Sequence, residues 1–299
     1  MYDILIIGAG PAGISAGIYA VSRGKRTLVL EQAQVGGIIG RVSTVTHYTA
    51  LEPLETGRTF AARMKEQALQ AGVEIAYETV TAVELKGEVK TVHTDKGTYQ
   101  SKRIILANGG SPRKLGIPGE VELAGKGMGL NAARDGASYM GKNIYVVGGA
   151  DGAVKEALYL ARFAHRLTII HFENQLGCIA EFRQKVAAAK NITLRLGSRL
   201  HGVYGNSQVE RLEIASERDG TIETIEDPGC GIFVYAGVAP NTQLYTDLEL
   251  QDGYILTNEK METSLPGVYA AGDIRVKQVR QVATAVADGA IAAINAAQI

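Results

Sequence analysis

The chain has 299 residues, 46% apolar and 21% charged, with 31 basic against 31 acidic side chains and so no net charge. That length favours two domains of ordinary size over one core. The charge balance offers no basic excess for nucleic acid or an anionic membrane surface, and neither is expected as a partner.

In chain order, Tyr2–Ile7 reads as a buried strand, the glycine-rich run after it as a tight turn, Pro11–Arg23 as a helix and Arg26–Leu30 as a second strand. Residues 4–21 carry no charge, yet the glycines and Pro11 near their start argue against a membrane span. Asp3 has the wrong sign for a signal-peptide flank, so a cytoplasmic protein is expected. A helix near Arg58–Gln70 follows, with short strands at Ile75–Tyr77, Val89–Thr94 and Arg103–Ala107. "GGSPRKLGIPGE" (109–120), rich in Gly and Pro, reads as a crossover linker. From Lys142 the opening grammar recurs: strand "NIYVV", turn "GGADGA", helix "VKEALYLARFA", strand "LTIIHF". Val154, Ala157, Leu158 and Ala161 keep helical spacing there. "AGVAPNTQL" (236–244) is a second linker after the strand "GIFVY". The chain ends in a strand (267–273) and a small-residue helix with Val282, Ala285, Val286, Gly289, Ala290 and Ala293 on one face. Two βαβ units predict an α/β chain with tandem Rossmann-like nucleotide-binding domains. The first is discontinuous, 1–115 with 245–299, and the second spans 116–244.

Cys178 and Cys230 are the only cysteines, in no paired motif. They read as small buried apolar residues in a reducing compartment, and sequence does not show whether they are close in space. No metal site is expected.

Gly8-x-Gly10-x-x-Gly13 follows a strand and opens a helix, with Pro11 and Ala12 inside the turn and Glu31 ending the next strand. Gly8 permits the turn, Gly10 lets backbone approach a pyrophosphate, and Gly13 allows close helix–strand packing. The helix N-terminus stabilises phosphate charge, and Glu31 is placed to accept ribose hydroxyls. An acid there disfavours a 2′-phosphate, which points to FAD or NAD rather than NADP.

Residues 267–293, "GVYAAGDIRVKQVRQVATAVADGAIAA", resemble the C-terminal flavin signature of low-molecular-weight thioredoxin reductases, class II pyridine nucleotide-disulfide oxidoreductases. "GAGPAG" (8–13), "GIPGE" (116–120), "GKG" (125–127), "DG" (135–136) and "GVAPNT" (237–242) match as well, so the resemblance covers essentially the whole chain. It implies FAD in the first domain, with Gly272 and Asp273 at the ribityl chain. Arg280, Gln281 and Val282 would lie near the isoalloxazine, Gly36 and Gly37 along the flavin, and Ala107 and Gly109 in the same site. It further implies three-layer ββα domains and a homodimer.

In that family a Cys-x-x-Cys pair precedes Asp-Gly. Aligning without a gap on Gly125-Lys126-Gly127 and Asp135-Gly136 puts Asn131 and Arg134 at the two cysteine positions. Dithiol exchange needs a thiolate and a partner sulfur, so conventional thioredoxin reductase activity is not expected. Arg134 either places a permanent charge near the flavin or faces solvent in an inherited loop. Asp135, a candidate proton donor in relatives, either keeps that role or pairs with Arg134. His47, in "VTHYTAL" (45–51), is either a proton donor to reduced flavin or a structural histidine.

The second turn carries Ala150 at the middle-glycine position. "HFENQLG" (171–177) keeps His171 but has Phe172, Glu173 and Gly177 where NADPH-using relatives carry arginines. Guanidiniums bind a 2′-phosphate bidentately and Glu173 would repel it, so NADPH is not expected. NADH, a second flavin or an empty site stay open. The expectation is an FAD-dependent oxidoreductase of thioredoxin reductase ancestry without a dithiol. A ferredoxin or other small redox protein, a second flavin or NADH would feed it, and the acceptor is not legible. The alternatives are a non-catalytic flavin-binding sensor or interaction protein, and an NADH-dependent diaphorase.

Overall fold

The computed structural model describes residues 1–298. In chain order it has β1 (Tyr2–Ile7), α1 (Pro11–Val21), β2 (Thr27–Glu31), α2 (Gly57–Gln70), β3 (Glu74–Tyr77), β4 (Val80–Glu84), β5 (Lys90–Thr94), β6 (Thr98–Leu106) and β7 (Gly110–Pro112). Next come β8 (Met128–Gly129), α3 (Ala132–Asp135), β9 (Asn143–Val147), α4 (Asp151–Leu160), β10 (Arg166–Ile170), α5 (Ala180–Ala188), β11 (Ile192–Arg195), β12 (Ser198–Tyr204), β13 (Arg211–Ser216), β14 (Ile222–Glu226) and β15 (Gly231–Val234). The chain closes through β16 (Val238–Pro240), β17 (Leu250–Gln251), β18 (Tyr254–Ile255), β19 (Val268–Ala270) and α6 (Val282–Ala296).

Two compact units result. One is Met1–Ser111 with the chain from Ala239 onward, and the other is Pro112–Val238. The crossings thus fall at 111/112 and 238/239, short of the 115 and 245 expected, because each unit binds its own ends. In the first unit the Asn241 N–H donates to the Gly109 carbonyl at 3.0 Å; in the second the Arg113 N–H donates to the Gly237 carbonyl at 3.0 Å. The first pair is reinforced by a reciprocal amide lock. Asn108 Nδ2 donates to the Asn241 carbonyl (2.9 Å), and Asn241 Nδ2 donates to the Asn108 carbonyl (2.8 Å). The hydroxyl of the fully buried Tyr245 donates to Asn108 Oδ1 at 2.8 Å.

The first unit holds a sheet of order β3-β2-β1-β6-β5-β4, with β19 also paired to β6. β1, β2, β3, β6 and β19 run parallel, which requires crossover helices and two covered faces. The pleat sorts β1 accordingly. Ile4 and Ile6 pack with α1, α6 and Val73, while Leu5 and Ile7 pack with Val92, Tyr245 and Ile255 on the other face. Helices α1 and α6 touch through their backbones: a Cβ on Gly289 would lie 2.1 Å from the Ala12 carbonyl oxygen. The buried face of α6 runs through Ala285, Asp288, Gly289, Ala292, Ala293 and Ala296. It includes an acid the expected face omitted, while Val282, Val286 and Ala290 are only partly covered.

The second unit holds the all-parallel sheet β11-β10-β9-β15-β8 and an antiparallel β12-β13-β14 sheet. Helices α4 and α5 cover Ile144, Val146, Leu167 and Ile169. The antiparallel sheet covers Tyr145, Val147 and Ile170 with Leu200, Val203, Leu212 and Ile214. The layered α/β class is as expected. The antiparallel sheet and α5 were not read from the sequence, although Gly205-Asn206 and Asp219-Gly220 stand at the two turns of that sheet.

Candidate functional site

In the first unit the turn after β1 is built as its glycines suggest. Gly8 has φ +101°, and a Cβ there would lie 2.6 Å from the Ala107 carbonyl oxygen. A Cβ on Gly13 would sit 1.8 Å from the Gly8 oxygen, so α1 can start against the strand only without one. Gly10 caps α1 in extended backbone (φ −72°, ψ −176°), Pro11 follows at the first helical position, and a Cβ on Gly10 would meet nothing within 4 Å. The backbone there faces open space.

Glu31, Gly36, Gly37 and Gly272 converge on this turn. Glu31 Oε2 accepts the Ala9 N–H at 2.9 Å, and Oε1 accepts the Ala33 N–H at 2.9 Å. The Gly36 N–H donates to the Ala9 carbonyl at 2.9 Å, and a Cβ on Gly37 would lie 3.4 Å from the Gly10 Cα. Gly272 (φ +80°) presses on Ala12, where a Cβ would come within 2.9 Å of the Ala12 methyl. Gly109 lies at the chain crossing. Gln281 and Val282 open α6, with Gln281 at its N-cap.

Beside Gly272, Asp273 Oδ1 is buried without a hydrogen-bond partner, and so is Arg280 Nε. Burial pushes the Asp273 carboxyl above the usual carboxylate range against the opposing pull of Lys277 and Arg280. Arg280 stacks on the Tyr254 ring, 4.1 Å from its centroid. His47 is exposed on an irregular segment that holds three non-glycine residues at positive φ: His47 (+59°), Ala50 (+59°) and Leu54 (+60°). Each such residue stores about 1–3 kcal/mol of strain.

The second unit repeats the frame with different groups. Ile7 pairs with Leu30, placing Glu31 next; Val147 pairs with Ile170, placing His171 next. His171 therefore stands where the first unit has its acid. It is 6% exposed, its Nδ1 has no partner, and Nε2 lies 3.1 Å from Glu173 Oε2. Ala150 caps α4 at φ −82° and ψ 174°, the conformation of Gly10, so its methyl projects where the first unit leaves space. Phe172 is exposed, with the Arg199 guanidinium 4.6 Å from its centroid. A groove of about 490 Å³ opens there, lined by Phe172, Asn174, Leu196 and Glu217 among others.

The 130–136 loop closes on itself. Asn131 Oδ1 accepts the Arg134 N–H at 2.9 Å and caps α3. Arg134 Nε and Nη2 donate to Asp135 Oδ1 and Oδ2 at 2.6 and 3.0 Å, and Oδ2 also accepts the Leu130 and Asn131 N–H groups at 2.9 and 3.0 Å. Burial raises the Asp135 carboxyl, but Arg134 and the two backbone donors outweigh it and hold the group below its usual range. Of the two alternatives for Asp135, the structure shows the pairing with Arg134. Cys178 packs among α4, α5 and their strands, whereas Cys230 packs in the other core cluster of the unit. Both are buried, and desolvation pushes the Cys230 thiol up to about 12.

Sequence reasoning missed Asn108 and Tyr245, which carry no motif, and read Asn241 only as part of the "GVAPNT" match. It also missed Asp288, though a lone acid in an alanine-rich helix was a usable signal.

Among the described residues no group of three or more His, Cys, Asp or Glu could hold a metal ion, and no helix is long and apolar enough to cross a membrane. Two glycine-turn βαβ units, one in each compact unit, define a two-domain architecture of nucleotide-binding type, with the second unit inserted into the sequence of the first. The chain belongs to the pyridine nucleotide-disulphide oxidoreductase family, whose model matches residues 2–289. It is 38% identical over 302 residues to the thioredoxin reductase of Peptoclostridium acidaminophilum, covering 99% of this chain and 96% of that protein. Thioredoxin reductase from Lactococcus lactis superposes with a TM-score of 0.94 at 35% identity, covering 99% of this chain and 98% of that one. A ferredoxin-flavin thioredoxin reductase from Clostridium acetobutylicum superposes at 0.54 with 29% identity, covering 99% and 97%. The chain is thus an oxidoreductase and flavoprotein of the thioredoxin reductase type.

Proposed function

We propose that this chain is an FAD-dependent oxidoreductase that passes electrons without a dithiol and receives them from a donor other than NADPH. The observation that carries the reading is the placement of its only two thiols. Both are buried, in separate core clusters, and Asn131 and Arg134 occupy a loop closed by its own hydrogen bonds.

The first unit fits FAD. Open space over Gly10 at the start of α1 admits a pyrophosphate, and the Glu31 carboxylate stands ready for ribose hydroxyls. Asp273 Oδ1 and Arg280 Nε are buried polar atoms lacking partners, as a polar ligand would leave them. Gly36, Gly37, Ala107 and Gly109 would line the same site, and Gln281 and Val282 would bring the α6 N-terminus to it. FAD, when bound, supplies one- and two-electron chemistry. The protein binds it, orients it and excludes water. Asp135, held ionised by Arg134, donates no proton at neutral pH. The exposed His47, in strained backbone, is the group assigned that task.

The second unit supports the donor reading. Ala150 adds a methyl at the pyrophosphate position, and Glu173 presents a carboxylate where a 2′-phosphate would need cations. A ferredoxin-like protein is the leading donor, in keeping with the name of the Clostridium acetobutylicum neighbour. NADH is the second reading, favoured by the Glu173 carboxylate that His171 holds beside the turn and that can accept ribose hydroxyls. A homodimer in the cytoplasm belongs to the proposal.

The test is anaerobic. The purified chain is assayed for one FAD per polypeptide, then titrated in turn with NADPH, NADH and reduced ferredoxin while flavin absorbance is followed. Bleaching by ferredoxin supports the leading reading, and bleaching by NADH alone the second. Bleaching at micromolar NADPH would overturn both, and a flavin that no donor reduces would favour a sensor.

A further inference from the structure

Helix α6 is mostly alanine and other apolar residues, yet its buried face carries Asp288, 5% exposed. A carboxylate so placed is strongly destabilising unless paired and hydrogen-bonded. Asp288 is engaged on both oxygens. Arg275 binds it bidentately, Nε to Oδ2 at 2.8 Å and Nη2 to Oδ1 at 2.9 Å. Lys277 Nζ donates to Oδ2 at 2.7 Å, and so does the Gly272 backbone N–H at 3.1 Å. The Lys277 side chain is itself only 6% exposed.

The Gly272 bond makes this more than a charge pair inside a helix. It ties α6 to the turn that carries Asp273, and the same turn rests on Ala12 at the start of α1. Asp273 holds a buried oxygen without a partner. The cations facing it are Lys277, already shared with Asp288, and Arg280, whose Nε also lacks a partner; Asp288 is the opposing anion. Three cations thus stand against two carboxylates, a surplus that suits an anionic ligand. A carboxylate oxygen can be satisfied only by a donor, and the ionised pyrophosphate diester of a dinucleotide carries none. The missing partner of Asp273 is therefore a hydroxyl or N–H group of the ligand.

We propose that Asp288 is a positioning residue: with Arg275 and Lys277 it clamps the Gly272–Asp273 turn, so that Asp273 Oδ1 meets a hydroxyl of the flavin nucleotide. This rests on FAD being the ligand of the first unit. Asp288 acts through Asp273, so the two residues are coupled in binding. A staple of the fold alone would show no such coupling.

The experiment is a double-mutant cycle on FAD affinity with the full chain, stripped of flavin and titrated with FAD by fluorescence quenching. Asp288→Asn alone leaves two buried cations without their anion and risks unfolding. The clamp is therefore broken by a charge-balanced pair, Arg275→Met with Asp288→Asn, which removes one cation with one anion and leaves Lys277 facing Asp273. Removing the clamp should raise the FAD Kd about tenfold or more in the otherwise unchanged chain, and less than about threefold when Asp273→Ala is already present. Equal losses in both backgrounds overturn the clamp and leave the flavin assignment intact. An unsubstituted chain that takes up no stoichiometric FAD overturns the flavin assignment, and the clamp falls with it.

Discussion

Replacing Gly10 by alanine should move folding stability and cofactor affinity in opposite directions. The backbone at Gly10 (φ −72°, ψ −176°) is extended, open to any residue, and the added methyl would meet no protein atom within 4 Å. Folding then gains from the restricted unfolded chain, about 0.4–1 kcal/mol. At roughly 2–4 °C per kcal/mol for a unit of this size, the flavin-free protein should melt about 1–4 °C higher. The same methyl occupies the approach to a pyrophosphate. Losing one charge-assisted hydrogen bond there costs about 1.5–3 kcal/mol, which weakens FAD about 10- to 150-fold. Thermal unfolding of the flavin-free protein and FAD titration by fluorescence read the two effects separately. Gly13→Ala is the control: its methyl would stand 1.8 Å from the Gly8 oxygen, so stability itself must fall. An FAD affinity unchanged within threefold in Gly10→Ala, or a lowered melting temperature, would refute the reasoning.

Ala150→Gly, with Phe172→Arg and Glu173→Arg, should raise NADPH affinity at least about tenfold over the parent by calorimetry; no gain would mean that other residues close the second turn. Gly289→Ala puts a methyl 2.1 Å from the Ala12 oxygen and should destabilise the first unit by about 1–3 kcal/mol or more in urea titrations; a neutral result would show that α1 and α6 can separate freely. With its thiol pushed up to about 12, Cys230 is ionised to about one part in 10⁵ at pH 7, so it should react with a thiol reagent only as fast as the protein unfolds. Asp288 is depressed below the unfolded value of about 3.9, since Arg275 and Lys277 outweigh the effect of burial. Its contribution is therefore present above that pH and fades as pH falls through the lower folded value. The urea midpoints of the parent and of Asp288→Asn should converge below about pH 4, and a gap that ignores pH would contradict the assignment.

The first nucleotide turn was readable from sequence because each glycine there answers a local demand: a positive φ at Gly8, a backbone contact at Gly13, open space at Gly10. The α/β class followed from apolar runs such as residues 4–7, buried on both faces of their sheet, alternating with helical stretches. What stayed hidden was set by distant pairing. Asn108 and Asn241 are 133 positions apart, and neither amide announces the other. His171 looked like a family remnant, and only the strand register shows that it holds the station of Glu31. Asp135 was ambiguous because a carboxylate next to Arg134 can pair with it or not, and local geometry decided for pairing.

The amide lock at Asn108, Asn241 and Tyr245 has an evolutionary consequence. It brings the two severed ends of the first unit side by side, so everything between residues 112 and 238 is an insertion hung from adjacent stumps. Excising that insertion and bridging the stumps with a few residues would leave the core of the first unit complete. Selection could then rewrite the inserted unit, exchanging its ligand or its electron source, while the folding of the cofactor-bearing unit stayed insulated from the changes. Ala150, Arg134 and Glu173, on which the proposed change of electron path rests, all lie within the insertion, the part of the chain most tolerant of experiment.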